Sequence, residues 1–151
     1  MINMVISMRV FFIFDIKEEF KRLYQDSPRN LYRILKQIYY LDKEEVIYGT
    51  NIFYQIVRKI PKQRIDNYLF VKLHQDIPYS KRENVHYYNN LHRNEVSRLT
   101  VRRSYMKIMA ETDISSFFSV LADYKSNYFV CDFEYQDYFF LSEVKTSCLN
   151  T

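Results

Sequence analysis

The chain has 151 residues, 48% of them hydrophobic and 26% charged, with a formal net charge of +4. This length makes one domain that buries roughly two-thirds of its unfolded surface. The balance excludes a disordered chain and the dense positive field of a dedicated nucleic-acid binder. A single glycine, Gly49, leaves no glycine-rich loop to bring bare backbone to a phosphate. Cys131 and Cys148 have neither close spacing nor a histidine pattern beside them, so a buried apolar thiol and a free tail thiol in a reducing compartment are expected, without metal or disulfide. The excess is aromatic: 15 Tyr and 12 Phe with no Trp. Tyrosine can be buried with a satisfied hydroxyl or half-exposed as a contact residue, so composition leaves both uses open.

Residues 1–7 lack the basic start and small-residue cleavage site of a secretory signal. No apolar run reaches the roughly 18 residues of a membrane span, and a cytoplasmic protein is expected. Met1, Met4 and Met8 all offer starts. The expected organisation is a disordered or wrongly included extension over 1–7, one globular domain over 8–145 and a tail over 146–151. Val10–Ile16 has the aromatic and β-branched content of a buried strand, and Lys17–Tyr24 is built from helix formers. Ser27-Pro28 then starts a second helix, whose Leu31, Ile34, Leu35, Ile38 and Leu41 share one side. Glu44–Ile60 reads as a broken strand or hairpin with Gly49 at its turn or bulge, ended by Pro61. Lys62–His74 fits a helix or a strand, with helix preferred, and Ile77–Asn84 reads as a polar loop.

Val85–Leu91 and a long, bent or bulged Val96–Ala110 predict an antiparallel hairpin. Thr112-Asp113 caps a third helix carrying Ile114, Phe117, Phe118, Leu121 and Tyr124 on one side, and Tyr128–Phe133 with Tyr138–Leu141 makes a second hairpin. The order β-α-α-β-α-β-β-α-β-β predicts an α/β (mixed α+β) domain, one mixed sheet with about three helices against it.

No catalytic constellation is present. His74, His86 and His92 lack partners at metal-ligating spacing and read as solvated or edge histidines. Cys131 lies in an apolar run that keeps a thiol protonated, and no nucleophile elbow exists. Two binding readings remain. One places Arg98, Arg102 and Lys107, with Arg93, Arg103, Tyr87 and Tyr88, on a basic and aromatic sheet face suited to nucleic acid. Arg102 and Arg103 point to opposite faces of a strand, so only part of that set can act together, and charge protecting a sheet edge is the plainer account. The other reading concerns the first helix. At about 100° per residue, Ile16 and Leu23 define its buried centre, and Phe20 and Tyr24 stack along one edge beside Lys17 and Lys21. That pair is either core-flanking or an aromatic contact rimmed by lysines.

Ile16-Lys17-Glu18-Glu19-Phe20 with Tyr24 four residues on, preceded by an aromatic strand and followed by a helix, resembles the sporulation inhibitor of replication (SirA) family. Phe117–Leu121, Tyr128–Phe133 and Val144-Lys145 match that family in order and spacing; the stretch from Pro61 to Arg103 departs from it. The resemblance implies a non-enzymatic inhibitor that binds the N-terminal domain, domain I, of the replication initiator DnaA as a 1:1 heterodimer and blocks initiation at the origin. No cofactor, small-molecule ligand or membrane partner is expected, and a nucleic-acid-binding module on the basic sheet face is the alternative reading. It places Phe20 and Tyr24 against the partner, with Glu45 as a polar contact. The family starts close to its aromatic strand, which points to Met8 as the start. Gln25-Asp26-Ser27-Pro28-Arg29 stands where the family tends to carry a Phe-Gly-Arg-Glu-like turn, so the rim of the contact is expected to differ.

Overall fold

Successive side chains of an extended strand point to opposite faces, so the run Phe11-Phe12-Ile13-Phe14 needs apolar cover on both sides. The fold supplies it by placing this strand inside the sheet. A computed structural model describes residues 8–144. In chain order they form β1 (Arg9–Ile16), α1 (Glu18–Tyr24), α2 (Pro28–Tyr39), a 3-10 turn (Lys43–Glu45), α3 (Val46–Ile56), β2 (Val57–Arg58) and α4 (Lys62–Leu73). There follow β3 (Tyr79–Arg82), β4 (Val85–Asn90), a second 3-10 turn (Leu91–Arg93), β5 (Glu95–Val101), β6 (Met106–Ala110), α5 (Ser116–Tyr124), β7 (Tyr128–Asp132) and β8 (Asp137–Phe140). The sheet order is β3-β4-β5-β6-β1-β7-β8, with β2 added to β1.

Two cores lie on opposite faces. Phe11 and Ile13 of β1 join Leu99, Ile108 and Val130 beneath α4 and α5, which contribute Ile65, Leu69, Phe117 and Leu121. On the other face Phe14, Ile16, Phe129 and Cys131 pack with Leu31 and Leu35 of α2 and Ile56 of α3. The strand β7 alternates between them and is buried throughout. The second helical layer reaches only the β1, β7 and β8 half of the sheet. Hence β5 and β6 are buried at alternate residues only, and their second side faces outward, as an antiparallel sheet permits.

Polar clips join distant segments. Arg9 donates to Asp132 at 2.9 Å, to Asp113 at 2.8 Å and to Asp137 at 3.3 Å, fastening the start of β1 to the β7–β8 turn and to the approach to α5. Buried Glu95 of β5 accepts from the Ser116 backbone N–H at 2.9 Å and the Ser116 hydroxyl at 2.6 Å, holding the first turn of α5.

The α+β class stands, with corrections. The described residues hold α1 to α5 and a further helical turn at 141–144, six helices rather than about three, and all strand pairings among them are antiparallel. Glu44–Ile60 is not a hairpin but a 3-10 turn, α3 and the short β2. Its β-branched residues favour a strand, yet Ile52, Phe53 and Ile56 find their cover against the second core on one side of a helix, and packing overrides propensity. Lys62–Leu73 resolves to helix, with Ile65, Leu69 and Leu73 inward. Part of the expected polar loop is β3, an edge strand whose Ser80, Lys81 and Arg82 remain in water. Val96–Ala110 is two strands, because a tight turn closed by the Arg102 N–H on the Tyr105 carbonyl, 2.9 Å, replaces the expected bend. Ser115, not Thr112-Asp113, caps α5 through the Phe117 N–H, and Ile114 is exposed. Residues 1–7 and the 146–151 tail lie outside the described residues.

Gly49 is buried within α3, where a Cβ would overlap Leu41 Cδ1. The neighbour is the tip of a flexible side chain, and alanine recovers up to about 1 kcal/mol of helix propensity. Gly49→Ala is therefore expected to leave stability nearly unchanged, whereas Gly49→Val should cost about 1–3 kcal/mol by overpacking in urea denaturation.

Candidate functional site

The helix α1 starts where the edge of α3 ends: the Lys17 N–H donates to the Ile56 carbonyl at 2.9 Å, and the Lys17 carbonyl accepts from Phe20 and Lys21. Glu18 and Glu19 occupy its first turn, where carboxylates favour the helix dipole. Glu18 also accepts a 2.8 Å hydrogen bond from Asn127 Nδ2, which is the main reason its carboxyl titrates below the usual range. Asn127 further donates to the Ile16 carbonyl at 3.1 Å, and Lys21 Nζ donates to the Ser126 hydroxyl at 3.1 Å. One edge of α1 is thus tied to the segment between α5 and β7 by polar contacts.

No residue of α1 is buried. Phe20 and Tyr24 are half-buried and rest against the second core, whereas Leu23 is 64% exposed. The wheel that paired Ile16 with Leu23 is corrected here. Ile16 ends β1 in extended conformation, so its direction sets no phase for a helix that begins at Glu18. Phe20 and Tyr24 set that phase instead, and among the described residues no ring contact joins them to each other. Lys17 and Lys21 flank the helix; Lys21 is engaged with Ser126, and among the described residues no side-chain hydrogen bond or ion pair meets Lys17. Glu45 is exposed at the start of α3, one helix length, roughly 16 Å by helical rise, from the Ile56 end that meets Lys17.

A strand reading of residues 44–60 conceals further apolar surface. Ile47 and Tyr48 of α3 are 80% and 70% exposed, and Val46, Tyr39 and Tyr40 are exposed as well. Their signal in the sequence was a hydrophobic run with no outlet once assigned to a strand. Between α2, α3 and the sheet lies a cleft of about 360 Å³, lined chiefly by aromatic rings, among them Phe12, Phe14, Tyr39, Phe53, Tyr54 and Tyr105.

The second candidate set also takes shape. Tyr87, Arg98, Arg102 and Lys107 all line one depression on the outward side of β4–β6, with Tyr105 at its margin. Tyr87 faces Arg98 directly across the β4–β5 ladder. Tyr88 points the other way, its ring 6.1 Å from Phe117, and Arg93 lines a separate hollow near α5.

His86, expected at an edge or in water, is fully buried. Its Nε2 lies 2.7 Å from Asp66 Oδ1 and its Nδ1 2.8 Å from the Tyr79 hydroxyl, while Lys62 holds the other Asp66 oxygen at 2.6 Å. The sequence hid this because the three residues come from α4, β3 and β4. Burial is the largest effect on His86 and holds its pKa down, against the pull of Asp66. Burial likewise raises the Tyr79 hydroxyl to about 12. Among the described residues no three His, Cys, Asp or Glu side chains gather as a metal site would require, and no helix is long and apolar enough to cross a membrane.

A single antiparallel sheet with helices on both faces, and a short helix whose aromatics rest on the second core while Leu23 faces solvent, define an α+β protein. The sequence model of the family described as sporulation inhibitor of replication protein SirA matches residues 9–145. The chain belongs to that family, whose description is one of a replication inhibitor in sporulation. Among curated proteins, none matches this chain.

The unfolded chain carries a histidine of pKa about 6.5, above that of buried His86, so on acidification it takes the proton first. The stability present above about pH 6.5 should decline as pH falls toward the folded-state value. Denaturant melts between pH 8 and 5 are expected to show this slope, and His86→Gln to flatten it.

Proposed function

We propose that the chain restrains chromosome replication by binding rather than catalysis, docking α1 on domain I of the initiator DnaA as a 1:1 heterodimer in the cytoplasm. Family membership supplies the replication-inhibitor role. The observation that carries the docking element is that α1 holds Phe20, Leu23 and Tyr24 yet buries none of them. Covering a side chain such as Leu23 yields about 1.5–3 kcal/mol, which the free protein forgoes. Phe20 and Tyr24, already seated on the second core, are held for contact at small further entropy loss and act as the anchors. Lys17 and Lys21 rim the contact and favour an acidic counterpart, and Glu45 provides a polar contact at its periphery.

Binding is measured by calorimetry with purified domain I of the cognate initiator. Phe20→Ala and Tyr24→Ala are each expected to weaken the complex by about 2 kcal/mol or more. Both rings touch the core, so circular dichroism must show these variants folded; exposed Leu23→Glu tests the same surface without that risk. Glu45→Ala is expected to change affinity by less than about 1 kcal/mol, the usual worth of an exposed charge. Unchanged affinity in folded Phe20, Tyr24 and Leu23 variants would place the interface elsewhere, and no binding by the wild type would end the reading.

A further inference from the structure

The outward side of β4–β6 has no helix over it, because α2 and α3 cover only the β1, β7 and β8 half of that face. Across it run three cations. Lys107 of β6 pairs with Thr100, which lies two residues from Arg98 in β5 and two residues before Arg102 at the start of the turn, so the Lys107 position is the diagonal neighbour of the Arg98 position, with backbones about 7–8 Å apart, and Arg102 follows along the same side. No Asp or Glu lines the depression they form. Elsewhere the protein pairs its inward cations with care: Arg9 meets three aspartates, Lys62 meets Asp66 and Lys125 meets Asp15. Among the described residues no ion pair engages Arg98, Arg102 or Lys107; the polar contact of Arg98 is with the Met109 sulfur, a weak acceptor, at 3.3 Å.

Edge protection does not account for these charges. Both β5 and β6 are interior strands, hydrogen-bonded on two sides, and the true edge strand β3 carries its own Lys81 and Arg82. Aromatic faces adjoin the cations: Tyr87 lies directly opposite Arg98 with Arg82 5.9 Å from its ring, and Tyr105 borders both the depression and the 360 Å³ aromatic cleft. Positive charge for a backbone and ring faces for successive bases are the two requirements of single-strand binding.

We propose that the open half of the sheet binds a single-stranded nucleic acid, with phosphates on Arg98, Lys107 and Arg102 and bases on Tyr87, Tyr105 and the adjoining cleft. A duplex fits less well, since nothing here projects as the helix or ribbon that enters a major groove. An acidic polypeptide would answer the cations and leave the ring faces unused. This surface lies on different elements from α1, so it stands or falls apart from docking on the initiator.

The test is fluorescence anisotropy of a labelled 12-mer of dT, and of rU, with the full chain. Three phosphate contacts give a salt slope of about −2, so affinity should fall roughly 20-fold between 50 and 200 mM salt. Replacing Arg98, Arg102 and Lys107 together by Gln should lower affinity at least roughly tenfold at 50 mM salt. Tyr87→Ala should lower it about fivefold or more through lost stacking, with the fold checked by circular dichroism. Absence of binding at 50 mM salt, or affinity indifferent to the folded triple variant, would overturn the proposal. So would competition by polyglutamate or by a duplex 12-mer as effective as that of the unlabelled single strand.

Discussion

The two-sided burial of β1 is the constraint on which the rest depends. Phe11 and Ile13 need one apolar layer and Phe12, Phe14 and Ile16 another, so this strand has to lie inside the sheet with helices on both faces. It pairs antiparallel with β6 and β7, which are contributed by the second half of the chain, and with the two-residue β2. The N-terminal strand therefore cannot find its place until distant segments arrive, a non-local pairing that costs loop entropy before packing repays it. Arg9 reinforces the arrangement by meeting aspartates from three separate segments at one end of the strand.

Uneven cover follows from this arrangement. The layer of α4 and α5 spans β5, β6, β1 and β7, while the opposite layer is confined to the β1, β7 and β8 half. The surplus sheet area carries Arg98, Thr100 and Lys107 beside Val96 and Met109 on alternate residues of β5 and β6. The aromatic cleft opens at the boundary, where Tyr54 of α3 meets Ser104 of the β5–β6 turn through their hydroxyls. Such an asymmetric sheet has a sealed face that supplies stability and an open one available for contact.

The helix α1 stands at the other margin. Being seven residues long, it gains little from its own hydrogen bonds and is held by Asn127, Ser126 and the end of α3. Its half-buried aromatics join it to the second core, and its exposed Leu23 looks away from it. The helix is thus fixed at its base and presents Glu18, Glu19, Arg22 and Leu23 to solvent.

By itself the sequence determined the α+β class, the strand character of β1, the helices α2 and α5 and the closing hairpin, because each rests on a local signal, a 3.6-residue period for the helices and short aromatic and β-branched runs for the strands. The motif around Phe20 and Tyr24 was legible as a resemblance, and family membership bears that out over residues 9–145. Tertiary structure alone decided what local patterns leave open. It made Val46–Ile56 a helix against its β-branched content, since one-sided cover by the second core outweighs propensity. It rotated Leu23 into solvent, since the turn from strand to helix resets the phase that a wheel assumes continuous. It buried His86 between Asp66 and Tyr79, and it brought Tyr87, Arg98, Arg102 and Lys107 from three segments onto one face. Those outcomes depend on pairing and layer coverage between residues far apart in the chain, which no window along the sequence can register.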